Sequence, residues 1–445
     1  MRNHLYFVTF VAALGGLMFG FETAVINGTI FYVQQFFGFS EAMKGVVVST
    51  ALVGCIIGAL FIGKPGDIFG RRQMMKLMAV MFLLSMIGAG LATNLTVFIT
   101  ARLIGGIAVG GASVLTPMYI SEIAPPKLRG RLVATNQLAI VSGILLAFFS
   151  NYIIDSIGAA NWRWMFLAGT IPSGVYFLLL FFIERSPRWL VKMERVEEAL
   201  HVIRRVNPHE NPETLMHQIK DSLNQEVMKK YSFMFKPPYL KLVLIGIAVG
   251  MFNQMAGINV IMYYSTDIFR VAGFSGESAM FQSVLIGVTN LAFTIIAMIF
   301  IDRFGRKFLL YVGATGMSVF LGLFAWSYIT GNYAGYQLLA YLVGYIAFFA
   351  FSQGAVIWVI LSEMFPNNVR SRGAAIGSFS HWFFNFVIAL LFPVISAKIG
   401  VGWVFAFFFA ATLLSLLFYH FALVETKGKS LEELEMETIG KRVSS

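Results

Sequence analysis

An all-α membrane protein, with twelve transmembrane helices in two pseudo-symmetric six-helix bundles, is the fold predicted by this 445-residue sequence. Three observations predict it. Charged residues are 12% of the chain against 58% hydrophobic ones, and mean hydropathy is +0.76, a balance unlike that of a water-soluble globule. The apolar residues gather into about twelve runs of roughly 20 or more, the length that crosses a hydrocarbon core. Finally, a pair of charged motifs is written twice. Gly66-Asp67-Ile68-Phe69-Gly70-Arg71-Arg72 returns as Ile301-Asp302-Arg303-Phe304-Gly305-Arg306-Lys307, and Ser121-Glu122 with Arg129-Gly130-Arg131 returns as Ser362-Glu363 with Arg370-Ser371-Arg372. The offsets, 235 residues for Asp67 and 241 for Glu122, are close enough to mark two homologous halves. Duplicated membrane bundles are the architecture of transporters.

The expected crossings lie near 5–36, 43–65, 74–93, 96–121, 131–155, 164–184, 238–268, 279–301, 308–330, 336–362, 371–397 and 401–423. The first has no small-residue cleavage site and continues the repeat, so it is expected to be a retained helix and not a signal peptide. The domains expected are a first bundle over 1–184, a helical linker over 185–237, a second bundle over 238–423 and a tail over 424–445. Leu200, Ile203, Val206, Leu215, Ile219 and Leu223 give the linker an apolar face, favouring short amphipathic helices over a disordered tether.

The net charge of +11 does not point to nucleic acid. With the amino terminus and every even loop on the cytosolic side, 28 of the 33 Lys and Arg fall there, leaving Lys44, Arg102, Arg163, Arg270 and Lys398. This asymmetry is a topology signal that places both termini in the cytosol. Cys55 is the single cysteine, inside the second span, so no internal disulfide can form. The six His show no ligand spacing, and neither a metal site nor a cofactor is expected. No nucleophile–base constellation suggests an enzyme.

Glu22 is the one acidic residue expected deep inside a span, with Arg102 of the fourth span as its nearest candidate partner. An ionised, unpaired carboxylate at that depth costs several kcal/mol, so it is protonated, paired or facing water. Two readings follow: a switchable pair coupling proton binding to rearrangement, with Glu22 facing a cavity, or a permanent salt bridge. At the cytosolic face, Asp67, Arg71, Arg72, Glu122 and Arg129 recur as Asp302, Arg306, Glu363 and Arg370. They read either as a cytosolic latch or as simple topogenic charges; matched pairs of opposite sign favour the latch.

The seventh span is interrupted by Asn253-Gln254-Met255-Ala256-Gly257-Ile258-Asn259, followed by Tyr263-Tyr264. Amides and phenols around a glycine suit a cavity lining where a helix bends, and they suit a neutral polyhydroxylated ligand. Gln137, Asn290, Trp358, His381, Trp382 and Asn385 add polar or indole groups on other spans.

At these residues the chain resembles the sugar porter family of the major facilitator superfamily. Further motifs carry the likeness nearly end to end: Arg102-Leu103-Ile104-Gly105-Gly106, Pro117-Met118-Tyr119-Ile120-Ser121-Glu122, Ser186-Pro187-Arg188-Trp189-Leu190 and Glu425-Thr426-Lys427-Gly428-Lys429-Ser430-Leu431. Bacterial pentose and hexose proton symporters and mammalian glucose facilitators are the nearest comparisons. The resemblance implies a major facilitator fold holding a monosaccharide mainly in its second half. It implies hydroxyl-binding or stacking roles for Gln137, Gln254, Asn259, Asn290 and Trp358, and cavity lining by Phe19, Tyr263, Gly354 and Trp382. Glu22 occupies the place of the proton-coupling Asp of bacterial symporters, where facilitators have Asn. Asn253 and His381 depart from the family's glutamines at their positions, Ile144 follows the facilitators, and Glu184-Arg185 replaces Pro-Glu. The expectation is a sugar–proton symporter working as a monomer in a bacterial inner membrane, with a facilitator, then a non-transporting sensor, as alternatives. Its partners are a monosaccharide, protons and the lipid bilayer.

Overall fold

The computed structural model describes residues 2–125, 128–155, 158, 161–206, 211–224, 239–332, 335–365 and 369–425. Among them every regular element is helical. The first half runs α1 (Arg2–Ala24), α2 (Ile26–Phe37), α3 (Glu41–Phe61), α4 (Gly63–Phe69), α5 (Arg71–Gly90), α6 (Leu95–Ile123) and α7 (Arg129–Ile154). It ends in α8 (Asn161–Ala168) and α9 (Thr170–Leu179). Three short helices follow: α10 (Pro187–Lys192), α11 (Val196–Val206) and α12 (Pro212–Asn224). The second half runs α13 (Tyr239–Met255), α14 (Ile258–Val271), α15 (Gly276–Phe304), α16 (Arg306–Thr330), α17 (Gly335–Phe351), α18 (Gln353–Glu363), α19 (Arg370–Ile399) and α20 (Val401–Ala422).

Eleven segments are long and apolar enough to cross a membrane, α1 joining α2 and α13 joining α14 as single crossings. The expected sixth crossing is the pair α8 and α9, which meet at Gly169. The duplication is visible in the packing. Helix α1 lies along α7 as α13 lies along α19, and α5 packs on α6 as α16 packs on α17. Both repeated loops turn on a glycine with φ +90°, Gly70 before α5 and Gly305 before α16.

Contacts divide the chain into two compact units. One comprises Met1–Phe37 and Thr50–Met228, the other Gly38–Ser49 and Lys229–Ser445. The boundary falls within α3, whose first two turns group with the second half. In the expected linker, α11 buries Ala199, Val202, Ile203 and Val206 and turns Glu197, Glu198, Arg204 and Arg205 away. Acids in its first turn and bases in its last complement the helix dipole. Residues 225–237 of that linker, and all of the tail after Glu425, lie outside the described residues.

The interruption expected in the seventh crossing is present. Gly257 takes φ +86° between α13 and α14, a conformation costly for any residue with a Cβ, and a Cβ there would also strike the Phe408 ring. The turn frees the Ala256 carbonyl, and the Tyr345 hydroxyl of α17 donates to it at 2.8 Å. A second break, between α17 and α18 at Ser352, was not expected. No proline marks it; Ser352 sits at φ −122°, ψ −91°, its hydroxyl donating back to Phe348 O at 2.7 Å.

Helices α1 and α7 touch backbone to backbone. A Cβ on Gly20 would collide with the Ile140 carbonyl, and one on Gly143 with the Leu17 carbonyl. Small residues allow such approach where no hydrophobic force drives helices together. Gly143→Leu is expected to cost about 1–3 kcal/mol by overpacking. Gly174→Ala, with open space around its Cβ position, should be neutral or stabilising by about 0.5–1 kcal/mol. Melting temperatures of the purified variants in one detergent check both; a Gly143→Leu protein as stable as the parent would contradict the close packing.

Candidate functional site

Two polar centres lie inside the crossings, one in each unit. In the first, Glu22 on α1 and Arg102 on α6 are completely buried. Arg102 Nη1 donates to Glu22 Oε1 at 2.5 Å and to the Glu22 backbone carbonyl at 3.0 Å, while Ser85 Oγ donates to Oε1 at 3.0 Å. Space for the carboxylate exists because residue 105 is glycine: a Cβ there would meet Glu22 Oε1 and Ser85 Oγ. Glu22 Oε2 has no hydrogen-bond partner among the described residues. The expectation that Glu22 faces a cavity is not met. Arg102 and Ser85 hold its Oε1 in a closed pocket, and Asn27 nearby is equally enclosed.

Asp267 on α14 lies inside the seventh crossing, its side chain 13% exposed, and pairs with Lys44 of α3 at 2.5 Å. It stands near the end of that crossing, four residues before α14 stops at Val271, as its sequence position implies.

The second centre surrounds the break in α13–α14. Asn259 Nδ2 donates to Gln254 Oε1 at 2.6 Å, and Gln254 Nε2 donates to Asn253 Oδ1 at 2.9 Å. The same Gln254 nitrogen lies 3.0 Å from His381 Nδ1 of α19. The His381 ring stands 4.9 Å from Trp358 and 5.5 Å, edge-on, from Trp382. Asn385 donates to the Tyr263 hydroxyl at 3.1 Å. Gly354 sits one turn before Trp358 on α18, its Cβ position 3.3 Å from the Phe349 ring. Asn290 is buried on α15. Phe19 on α1 and Gln137 on α7 belong to the other unit and are half-buried. Within the second unit, Asn253, Gln254, Asn259, His381, Trp358 and Trp382 thus come together, without a formal charge among them.

Comparison with known proteins decides what such an interior belongs to. Residues 8–437 match the Sugar (and other) transporter family. The chain belongs to the sugar porter family of the major facilitator superfamily. Relatives include the arabinose-proton symporter of Bacillus subtilis, 35% identical with 96% of this chain and 94% of that protein covered. The D-xylose-proton symporter of Escherichia coli K12 is 35% identical (97% and 95%), and the glucose transport protein of Synechocystis is 38% identical (95% and 95%). An inward open structure of the xylose transporter XylE from E. coli superposes with a TM-score of 0.87 at 34% identity, covering 98% of this chain and 100% of that one. The protein is therefore a multi-pass membrane transporter and not an enzyme.

The charged loop motifs of this sugar porter form one cluster in each unit. In the first, Arg71 bridges Asp67 at 2.8 Å and Glu122 at 2.9 Å, and also donates to Gly66 O at 3.1 Å. Arg72 turns instead to the Ile183 carbonyl at 2.8 Å, and Arg129 stands exposed at the start of α7, outside this cluster. In the second, Arg306 pairs with Glu363 at 3.1 Å. The side chains of Asp302 and Arg370 lie outside the described residues. Glu184 does not rejoin Arg71: it binds His4 at 2.8 Å and Arg205 of α11 at 2.9 Å, and Arg185 lies over the Trp189 ring.

Sequence reasoning missed Glu425 as a cluster member. Its carboxylate accepts from the backbone N–H groups of Arg306 (3.0 Å) and Lys307 (2.8 Å), capping α16 where unsatisfied donors and the dipole favour an anion. The signal was the tail motif, noticed as a family mark but not as a cap. Ser85 was missed because a lone serine in an apolar run is unremarkable.

Arg102→Met should leave Glu22 buried and unpaired, a loss of about 3–5 kcal/mol. Adding Glu22→Gln removes the stranded charge and should recover most of it. Melting temperatures of the two single variants and the double form the cycle; additive losses would show that the pair is not coupled.

Proposed function

We propose that this sugar porter is a monosaccharide–proton symporter that imports a pentose or hexose by alternating access, with Glu22 as the proton-carrying carboxylate. The buried Glu22–Arg102 pair is the observation that carries the reading. Glu22 Oε1 holds two side-chain donors while Oε2 is bare, so a proton has one free oxygen to settle on. Protonation there cancels the carboxylate charge and leaves Arg102 with the Glu22 carbonyl and a neutral acid, weakening the tie between α1 and α6. A ligand-linked shift between two bundle states needs such a difference of interaction between them.

The sugar would be held by Asn253, Gln254, Asn259, Asn290 and His381, whose dipoles match hydroxyls, with Trp358 stacking on a ring face and Gln137 contributing from the first half. Phe19, Tyr263, Gly354 and Trp382 would shape the cavity. The charged loops (Asp67, Arg71, Arg72, Glu122 and Arg129 with Asp302, Arg306, Glu363 and Arg370) would face the cytosol together with both termini, in a bacterial inner membrane, and bias one bundle arrangement. The names of the arabinose and xylose relatives support proton coupling, and the glucose relative supports a hexose as cargo.

Sugar added to de-energised cells should alkalinise the medium as protons enter with it. Glu22→Gln is expected to abolish accumulation against a gradient while sugar counterflow in proteoliposomes persists. Sugar flux with no proton uptake would establish a facilitator; accumulation that survives in Glu22→Gln would remove Glu22 from the coupling role.

A further inference from the structure

The amides of the second centre do not stop at the break in α13–α14. Asn253 Nδ2 donates onward to Gln353 Oε1 at 3.4 Å, and Gln353 Nε2 donates to the Tyr419 hydroxyl of α20 at 2.9 Å. Ser415 Oγ, one turn before Tyr419 on α20, donates to the Thr412 carbonyl at 2.7 Å. Asn259 and His381 are half-buried, whereas Gln353, Tyr419 and Ser415 are completely buried. The chain therefore leads from the accessible end of the centre into the interior, and every amide in it points its NH2 inward.

That common sense has a physical origin at the inner end. The NH2 of Gln353, the innermost amide, can only donate, and it faces the Tyr419 hydroxyl, which accepts. That turns the Gln353 carbonyl outward as the acceptor for Asn253. The same logic passes to Asn253, Gln254 and Asn259 in turn. Turning any single amide over would set NH2 against NH2 and carbonyl against carbonyl at its two junctions, in an interior without water to repair them. The chain inverts as a whole or not at all. At the open end this leaves Asn259 Oδ1 as an acceptor and presents an N–H of Gln254 to a His381 nitrogen, which must accept.

We propose that Gln353 and Tyr419 are positioning residues that fix the donor–acceptor sense of the sugar-binding amides, and so determine which hydroxyl pattern the protein accepts. This rests on the sugar-binding reading above. Neither residue needs to touch the ligand. Gln353 follows the unexpected break at Ser352, and that break directs its amide toward Asn253. It acts through Asn253 alone, so its influence on binding should vanish when Asn253 is gone.

The test is binding of D-glucose and D-xylose to the purified full-length protein, read by fluorescence of Trp358 and Trp382 at the centre. Gln353→Met keeps the volume and removes both hydrogen bonds; Tyr419→Phe removes the inner link. Each is expected to weaken binding of the preferred sugar about tenfold, the worth of one net hydrogen bond, and to narrow the difference between the two sugars. Gln353→Glu, protonated in this interior, still accepts from Asn253 and donates to Tyr419, and should bind like the parent. In the Asn253→Ala background, Gln353→Met should change binding by less than about twofold. Independent effects of Gln353→Met and Asn253→Ala, or a Gln353→Glu variant no better than Gln353→Met, would overturn the relay. A parent protein that binds neither sugar would instead overturn the sugar-binding reading beneath it.

Discussion

Hydrocarbon offers no hydrogen bonds, so each polar group within the crossings must find its partner inside the protein. The positions of the helix breaks follow from this. The Ala256 carbonyl released at Gly257 is taken by Tyr345, and the Ser352 hydroxyl returns to its own helix at Phe348. Buried charges obey the same rule at higher stakes: Glu22 has Arg102 and Asp267 has Lys44. A break or a charge without such an answer would cost several kcal/mol in a chain whose net stability is of that order.

The two halves meet this constraint with different chemistry. The centre of the first half is a full charge pair, whereas the amide centre of the second is a chain of neutral dipoles. A group that is to carry a proton has to change charge, and the energy of that change is large where water is excluded. A site for a neutral polyol needs the opposite, dipoles whose orientation stays put while hydroxyls come and go. A titrating carboxylate among the amides would reorient them whenever its proton left. On the proposed reading, lodging it on α1 and α6, in a notch cut by Gly105, would separate the two tasks within one chain.

The fold and the outline of both centres were legible because they are written in rare residues. Charges in an apolar chain and amides around a glycine stand out, so the twelve crossings, the Glu22–Arg102 pair and the break at Gly257 could be read directly. What escaped depends on distances between helices. Nothing adjacent to Gln353 in sequence says that Tyr419 will meet it, and the break that aims it lacks a proline. The enclosure of Glu22 rests on Ser85 and Gly105, both too common to draw notice.

The duplicated loops show how a repeat can share a plan and still differ in detail. In each unit one arginine at the start of a helix, Arg71 or Arg306, pairs with a glutamate at the end of another, Glu122 or Glu363. Around that pair the halves diverge. Arg71 is held further by Asp67, whereas the α16 end is capped by Glu425 from beyond α20. These arginines already spend donors on partners within their own unit. A contact from one half to the other through the same groups would exchange hydrogen bonds, not add them, and its free energy would be a small difference between similar terms. A carrier that must pass repeatedly between two states needs a bias of that size, since a latch much stronger would trap it in one of them.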